Sequence, residues 1–437
     1  MSLYVVRVVV LFTAFISVCQ AQSQTEQTND FEAEHERGVN LARQGKLDEG
    51  LNILQRLIDQ HPDDYSLQRD YVIIATWKGR CDIALERYQK IHHYDRQEPY
   101  LIVPVSECLA DRKSYKSAIA LLRKGRQWWP DDEDVKNTLN SVLADSKRDS
   151  MSEVEVAVST NESDQGSREW LFQTQYSKQL FDRTRVHLRY LTVRATDSQF
   201  DTGDLNRIGL GVRYGLNPFM TVGQEFSFDA KRGDRFGSNT LAVFTPSDLW
   251  LINMEYASFA EDISLRATAQ DIKASRLTVN ADFHTVDYKW NWSASSAWYG
   301  FSDTNDRTVY SSSLGYAFEL KPEREQRLIL QLYHTQNTLA NTVYYNPESD
   351  LSTILTYKVD IVYSSRFQRH VDHFYLFAGT YYEKGYGTEN VGGVRYEQEY
   401  DFNETTSLNF GLSYSNNVYD GNSESDAAFD LTFNKRF

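Results

Sequence analysis

Two glutamates two positions apart, Glu397 and Glu399, are the nearest approach in this chain to a catalytic pair. Paired carboxylates hydrolyse glycosidic bonds when their surroundings make one an acid and the other a base or nucleophile. Nothing near these two separates their roles, so they read as a charged strip. Of the nine histidines, His187, His284 and His334 can reach one face of predicted strands, but the sequence sets no serine or carboxylate beside them as a nucleophile–base–orienter set requires. HExxH and CxxC spacings are absent, so no metal, no cofactor and no enzymatic activity are expected. The acidic residues offer a collective chemistry instead. Glu225, Asp229, Glu255, Asp282, Glu397, Glu399 and Asp430, with Arg395 among them, alternate with apolar residues and are expected to line a wet, net acidic path. With a net charge of −15 and a pI near 5.1, such a path suits a cationic or neutral solute and argues against nucleic acid.

The elements that must position those residues are strands. The last nine residues, Phe429 to Phe437, alternate apolar and polar and end on an aromatic, as the closing strand of an outer-membrane barrel does. A soluble protein seldom leaves such an edge unpaired, whereas a barrel pairs its last strand with its first. Lys435 stands on the lipid-facing register, where its long stem can reach the interface. At the other end, Arg7, an apolar run from Val8 to Val18, and Cys19 and Ala21 before Gln22 form a secretory signal over 1–21. No later stretch offers eighteen consecutive apolar residues, so only a barrel could span a membrane. The 28 Tyr and 8 Trp suit interfacial girdles or stacking on sugars.

Between signal and strands the sequence repeats every 34 residues. Gly45 and Gly79 are one period apart, Gly50, Ala84 and Ala118 are successive, and His61-Pro62-Asp63-Asp64 returns two periods later as Trp129-Pro130-Asp131-Asp132. This is the tetratricopeptide pattern, and three repeats fit 31–64, 65–98 and 99–132, all periplasmic, with a capping helix and linker over 133–152. The small residues let paired helices approach, and Leu54, Tyr88 and Leu122 fill the groove between them. The repeats serve either as a spacer or as a docking module whose face would include Tyr71, Trp77, Arg80, Tyr100 and Trp128. Cys81 and Cys108 fall at neighbouring positions of such a stack, where an oxidising compartment permits a disulfide.

From residue 153 to 437 the period switches to two, and sixteen apolar segments of about ten residues recur, from one beginning near Glu153 to one near Ala427. The fold class is therefore α+β multidomain: a helical repeat stack followed by a sixteen-stranded antiparallel transmembrane barrel. Short connections at Leu216-Asn217-Pro218, Thr245-Pro246-Ser247 and Phe402-Asn403-Glu404 are expected at the periplasmic rim. Long ones at 197–204, 259–271, 337–351 and 417–425 are expected outside. Ile208, Leu210, Val212 and Tyr214 share a lipid face, as do Leu328, Leu330 and Leu332, and Leu408, Phe410, Leu412 and Tyr414. A barrel of this size encloses an aqueous channel.

The residues of the second half also carry a resemblance. Ile263-Ser264-Leu265-Arg266-Ala267 with Asp271-Ile272-Lys273-Ala274 is one segment of it. Phe301-Ser302-Asp303 with Asn305 and Arg307, Tyr345-Asn346-Pro347, Tyr386-Gly387, Val394-Arg395-Tyr396-Glu397 and Tyr419-Asp420-Gly421 follow in order. Together they resemble the PgaA-type export porins for poly-β-1,6-N-acetyl-D-glucosamine, which join tetratricopeptide repeats to a sixteen-stranded barrel. The resemblance implies a monomeric porin of the outer membrane that passes a partly deacetylated amino-sugar polymer, with a periplasmic polysaccharide deacetylase meeting the repeats. Ser264 replaces the family's proline, and the repeats are fewer. The shorter YaiO-type barrels share some of these motifs, which leaves open a barrel of unknown substrate or a scaffold; an outer-membrane hydrolase is the third class.

Overall fold

In a computed structural model, the structure describes residues 30–91, 98–196, 203–231, 235–339, 342–364 and 368–437. The signal over 1–21 and most of the expected outer connection at 197–204 lie outside them. The chain divides into two compact units, one ending at Leu143 and the other Ala144–Phe437. No helix of the described residues is long and apolar enough to cross a membrane, which says nothing about strands.

The first unit is a run of helical hairpins: α1 (30–43) with α2 (Leu47–Gln60), α3 (Tyr65–Trp77) with α4 (Cys81–Ile91), and α5 (Pro99–Asp111) with α6 (Tyr115–Trp128), then α7 (Glu133–Ser150). The 34-residue period is written into the backbone, because the residue that turns each hairpin has positive φ: Gly45 at 83°, Gly79 at 71° and Lys113 at 54°. Glycine takes that conformation without strain, whereas Lys113 bears a modest cost. A Cβ on Gly50 would stand 2.7 Å from the Gly38 carbonyl, so α1 and α2 touch there; Ala84 and Ala118, one and two periods on, are fully buried. Leu54 and Leu122 are fully buried as well, and Tyr88 packs against the same core. Asp64 caps α3 by accepting from Leu67 N at 3.1 Å, and Asp132, two periods later, accepts from Val135 N at 2.9 Å. Cys81 of α4 and Cys108 of α5 form a disulfide with Cα atoms 5.2 Å apart.

The second unit is a closed antiparallel barrel of sixteen strands, β1 (Glu153–Ser163) to β16 (Asn422–Arg436), each paired with its sequence neighbours and β16 with β1. Closure runs from Glu153 opposite Arg436 to Ser163 opposite Asp426, and Ser152 and Phe437 exchange both backbone hydrogen bonds at 3.0 and 3.1 Å beyond it. No edge is left open, which is what lets strands stand in hydrocarbon. Alternation follows the expected registers: Leu210, Leu330 and Leu412 are exposed on the outside, while Arg207 and Arg395 point inward. Lys435, on the outer register at the rim, donates to Thr406 Oγ1 at 2.7 Å. Outward aromatics gather near both ends of the strands, with Trp170, Tyr310 and Tyr382 toward one rim and Trp290, Tyr316 and Tyr363 toward the other, and the last of these stacks on His370.

Connections at the rim nearer both termini are short, such as 182–183, 218–219 and 404–405; at the opposite, outer rim 258–273 and 338–348 are long. The long connection expected over 417–425 is instead a two-residue hairpin. β15 (Thr406–Tyr419) and β16 pair up to Tyr419 opposite Asn422, and Asp420 and Gly421 both take positive φ, at 51° and 72°. That is a type I′ turn, the one an Asp-Gly pair favours. The polar residues that suggested a loop are strand residues near the tip of the hairpin.

Candidate functional site

The lumen is built by the inward half of each strand, and its geometry is set by the connection 258–273 between β7 (Trp250–Ala257) and β8 (Ala274–His284), which turns inward. Glu261 on this connection receives Arg189 of β3 (Thr184–Thr196) at 2.7 and 2.9 Å and Arg207 of β4 (Gly203–Asn217) at 3.2 Å. Asp262 receives Arg276 of β8 at 2.5 Å and the Tyr299 hydroxyl at 2.8 Å. Arg235 reaches Asp271 at 2.7 Å and the Thr268 carbonyl at 3.0 Å. Within the connection lies a short helix α8 (Leu265–Ala269), whose N-cap is Ser264, accepting from Arg266 N at 3.3 Å. Serine at that position supplies an acceptor that proline lacks. Ala260, Ile263 and Ala267 pack with Ala274, Phe301 and Tyr344. The connection is thus pinned by charge on one side and by a small apolar cluster on the other.

The second long connection, 338–348, is tied to the first through Asn305. This fully buried amide has its nitrogen within 3.2 Å of Asn337 Oδ1, Tyr344 Oη and Asn346 Oδ1, and its oxygen accepts from Thr338 N at 3.2 Å and Leu339 N at 3.1 Å. Arg307 lies over the Phe301 ring at 5.3 Å and donates to Asn337 and Asn346. Phe301 stacks on Tyr344 at 5.4 Å, and Tyr345 meets Tyr419 edge-on at 5.2 Å. Four of the six short motifs, those at 263–274, 301–307, 345–347 and 419–421, therefore meet around the inward connections.

The inward carboxylates fall into two groups. Glu225 on β5 (Met220–Asp229) is held by His187 at 2.8 Å and Arg189 at 2.6 Å, in space left by Gly209 and Gly211, whose Cβ atoms would lie 2.6 Å from Glu225 and 2.3 Å from His187. Glu255 is paired with Arg276, and Glu397 and Asp430 share Arg395 at 2.5 and 3.0 Å. Glu399 stands 3.7 Å from Arg369 and 3.6 Å from His373. Asp282 is exposed to the lumen and has no partner among the described residues. Asp229, expected on the wet wall, is instead 2 % exposed; it ends β5, where it accepts from Lys231 N at 2.9 Å. Sequence reasoning missed Glu169, Glu389, Glu424 and Asp426. They lie on the inward register of β2 (Arg168–Phe181), β14 (Gly387–Asn403) and β16, and none has a cationic partner among the described residues. Only the signal of alternation could have found them, since each stands near a strand end that looked like loop.

In the helical unit, Trp77 and Tyr100 are each 51 % exposed, and Trp128 is exposed too, edge-on to Trp129. Arg80 is spent on Asp82 at 2.7 Å. Tyr71, expected on an exposed face, is buried in the core at 8 % exposure, its ring under Arg87 at 5.1 Å. Its ring is packed into the core shared by α1 to α5. Asp70 nearby is opposed by burial, yet hydrogen bonds from His35 at 2.9 Å and Arg69 at 2.8 Å hold its carboxyl below the usual range.

A sixteen-stranded barrel with an apolar outer band, two aromatic girdles and a charged interior is a β-barrel of the outer membrane. Residues 149–437 match the PgaA membrane beta barrel domain, and the chain belongs to that family. It is 23 % identical over 190 residues to the poly-beta-1,6-N-acetyl-D-glucosamine export protein of Escherichia coli K12, a match that covers 43 % of this chain and 23 % of the relative. The O157:H7 protein of the same name matches equally. The chain thus spans about a quarter of the length of these relatives. Among solved structures, a bacterial polysaccharide outer membrane secretin superposes with a TM-score of 0.60 at 20 % identity, over 66 % of this chain and 99 % of that one.

Proposed function

We propose that this protein exports a linear, partly deacetylated amino-sugar polymer of the poly-β-1,6-N-acetylglucosamine type through the barrel, from periplasm to cell surface. The observation that carries this reading is the set of inward carboxylates without a cationic partner among the described residues, Glu169, Glu389, Glu424 and Asp426, in a family whose curated relatives are named for export of that polymer. Deacetylated units carry ammonium groups at neutral pH, and a sparse cation chain moves along acids that attract it without gripping it. Acids spent on arginine, such as Glu225 and Glu255, contribute little field; the unpaired ones supply it. The helical hairpins are read as a tetratricopeptide stack in the periplasm that docks a polysaccharide deacetylase, with Trp77, Tyr100 and Trp128 as the exposed anchors.

The test is genetic and chemical together. Deleting the gene should leave polymer in the periplasm and none on the surface, and the wild-type gene should restore it. Undiminished surface polymer in the deletion strain would leave the barrel as a scaffold or as a pore for another solute.

A further inference from the structure

Two recesses open on the inner wall, and they share one side chain. The larger, about 560 Å³, lies beneath the inward connection, between Phe259, Ile263 and the wall residues Leu171 and Val193. The smaller, about 290 Å³, is cut into the wall of β1, β15 and β16 among Asn161, Ser413, Asn417, Tyr419, Asp426 and Asp430. Both volumes fall in or near the range of small-ligand sites, roughly 300–1,000 Å³. Glu169 lines both.

Every other acid of the larger recess already has its cation: Glu225 and Glu261 have Arg189, and Glu255 and Asp262 have Arg276. In the smaller recess the one cation, Arg395, is divided between Glu397 and Asp430, and Asp426 takes only a neutral amide, Asn417 Nδ2 at 2.6 Å. Glu169 has no hydrogen-bonding or ionic partner among the described residues. Glu169 therefore brings to both recesses a charge that lacks a counter-ion. The surroundings choose its chemistry. Leu171, Val193, Phe259 and Ile263 offer an apolar floor for the C–H face of a sugar ring, while Asn239 and Ser227 offer polar atoms for its hydroxyls. A metal ion fits poorly, for no group of three or more ligating side chains comes together among the described residues.

We propose that Glu169 is the counter-ion of a two-recess subsite for a deacetylated hexosamine: it holds the ammonium of one unit in the recess under the inward connection and shares it with Asp426 in the recess beyond. This rests on the export reading and adds to it the residue at which free amines are told from acetylated ones. An N-acetyl group carries no charge, so it gains nothing from Glu169, while the ring contacts serve both forms alike.

Full-length protein in detergent is titrated calorimetrically with a β-1,6-linked glucosamine hexamer and with its fully N-acetylated counterpart. Wild-type protein should bind the free-amine hexamer at least tenfold more tightly. Glu169→Gln should remove most of that preference without weakening the acetylated hexamer. Asp282→Asn, which removes a lumen charge without a partner among the described residues that lines neither recess, should keep it. Heat-modifiable gel mobility verifies that each variant is folded. A full preference in Glu169→Gln, or an equal loss in Asp282→Asn, overturns the subsite while export stands, because selectivity would then belong to the general field. If wild-type protein binds neither hexamer, the export reading itself falls, and the subsite with it.

Discussion

Replacing Glu261 by Gln and Asp262 by Asn together should free the inward connection and enlarge the pore. The double substitution removes the charge from three contacts, Glu261 with Arg189 and Arg207 and Asp262 with Arg276. A hydrogen bond to a charged partner contributes about 1.5–3 kcal/mol, and lumen water screens these, so about 1 kcal/mol for each contact is a fair figure. Their sum, about 3 kcal/mol, shifts the ratio of seated to unseated connection by roughly two powers of ten, while Asp271 with Arg235 and the cluster around Ala267 still hold it at its far end. Single-channel recording in planar bilayers reads the result: frequent openings to a higher conductance in the double variant, rare ones in the wild type. Salt offers a second handle, since the screening length falls from about 10 Å at 0.1 M to about 3 Å at 1 M, and wild-type openings should become more frequent with salt while those of the variant change less. Identical conductance in the two proteins at low salt would refute the reasoning, because the connection would then neither narrow the pore nor be held by these pairs.

Other consequences are more local. Gly211→Ala should push His187 off Glu225, since the added methyl would lie 2.3 Å from the imidazole, and the variant barrel should lose its folded gel mobility at lower temperature than the wild type. Asp64→Ala removes the cap of α3 and should lower the stability of the helical unit by about 1 kcal/mol, read as a lower urea midpoint in circular dichroism. Reducing the Cys81–Cys108 disulfide, which closes a loop with a sequence separation of 27, should cost about 3.5 kcal/mol by the chain-entropy relation, and a urea midpoint unmoved by reductant would contradict that. Asp70 has a folded pKa below that of the unfolded chain. Its contribution is therefore complete above about pH 4 and is lost as pH falls through the lowered value, so Asp70→Asn should flatten that acid limb.

The barrel was legible because its signal is repeated. Period-two alternation survives small errors at each strand end, and pairing every segment with its neighbour leaves one topology. The hairpin turns at Gly45 and Gly79 were visible as glycines; Lys113 does the same work and was visible only through the period. The inward connection was not legible. Its partners Arg189 and Arg207 stand 72 and 54 positions from Glu261, and nothing in the charge of a residue says which distant opposite charge it will meet. For the same reason the inward acids singled out from sequence included the neutralised Glu225, Glu255 and Glu397 and missed the unpaired Glu169 and Asp426. Alternation assigns a face to a residue, but pairing depends on which strands become neighbours around the cylinder and on what folds into it. Tyr71 and Asp229 failed differently, since their types suggested exposure and packing at one helix face and one strand end buried them.

The separation of paired from unpaired acids follows from the inward connection itself. A segment held inside a wet cavity must be anchored by contacts that outcompete water, and arginine forks on carboxylates do so better than isolated hydrogen bonds. Arginines on β3, β4 and β8 take up the acids of the connection, whereas the run of strands from β14 through β16 to β2 carries Glu389, Glu424, Asp426 and Glu169 without a cationic partner among the described residues. On the proposed reading, a cationic chain would be drawn to the acids that have no arginine rather than to those that anchor the connection. It would travel along those acids without competing for the anchoring arginines, so the connection need not be released for the proposed polymer to move.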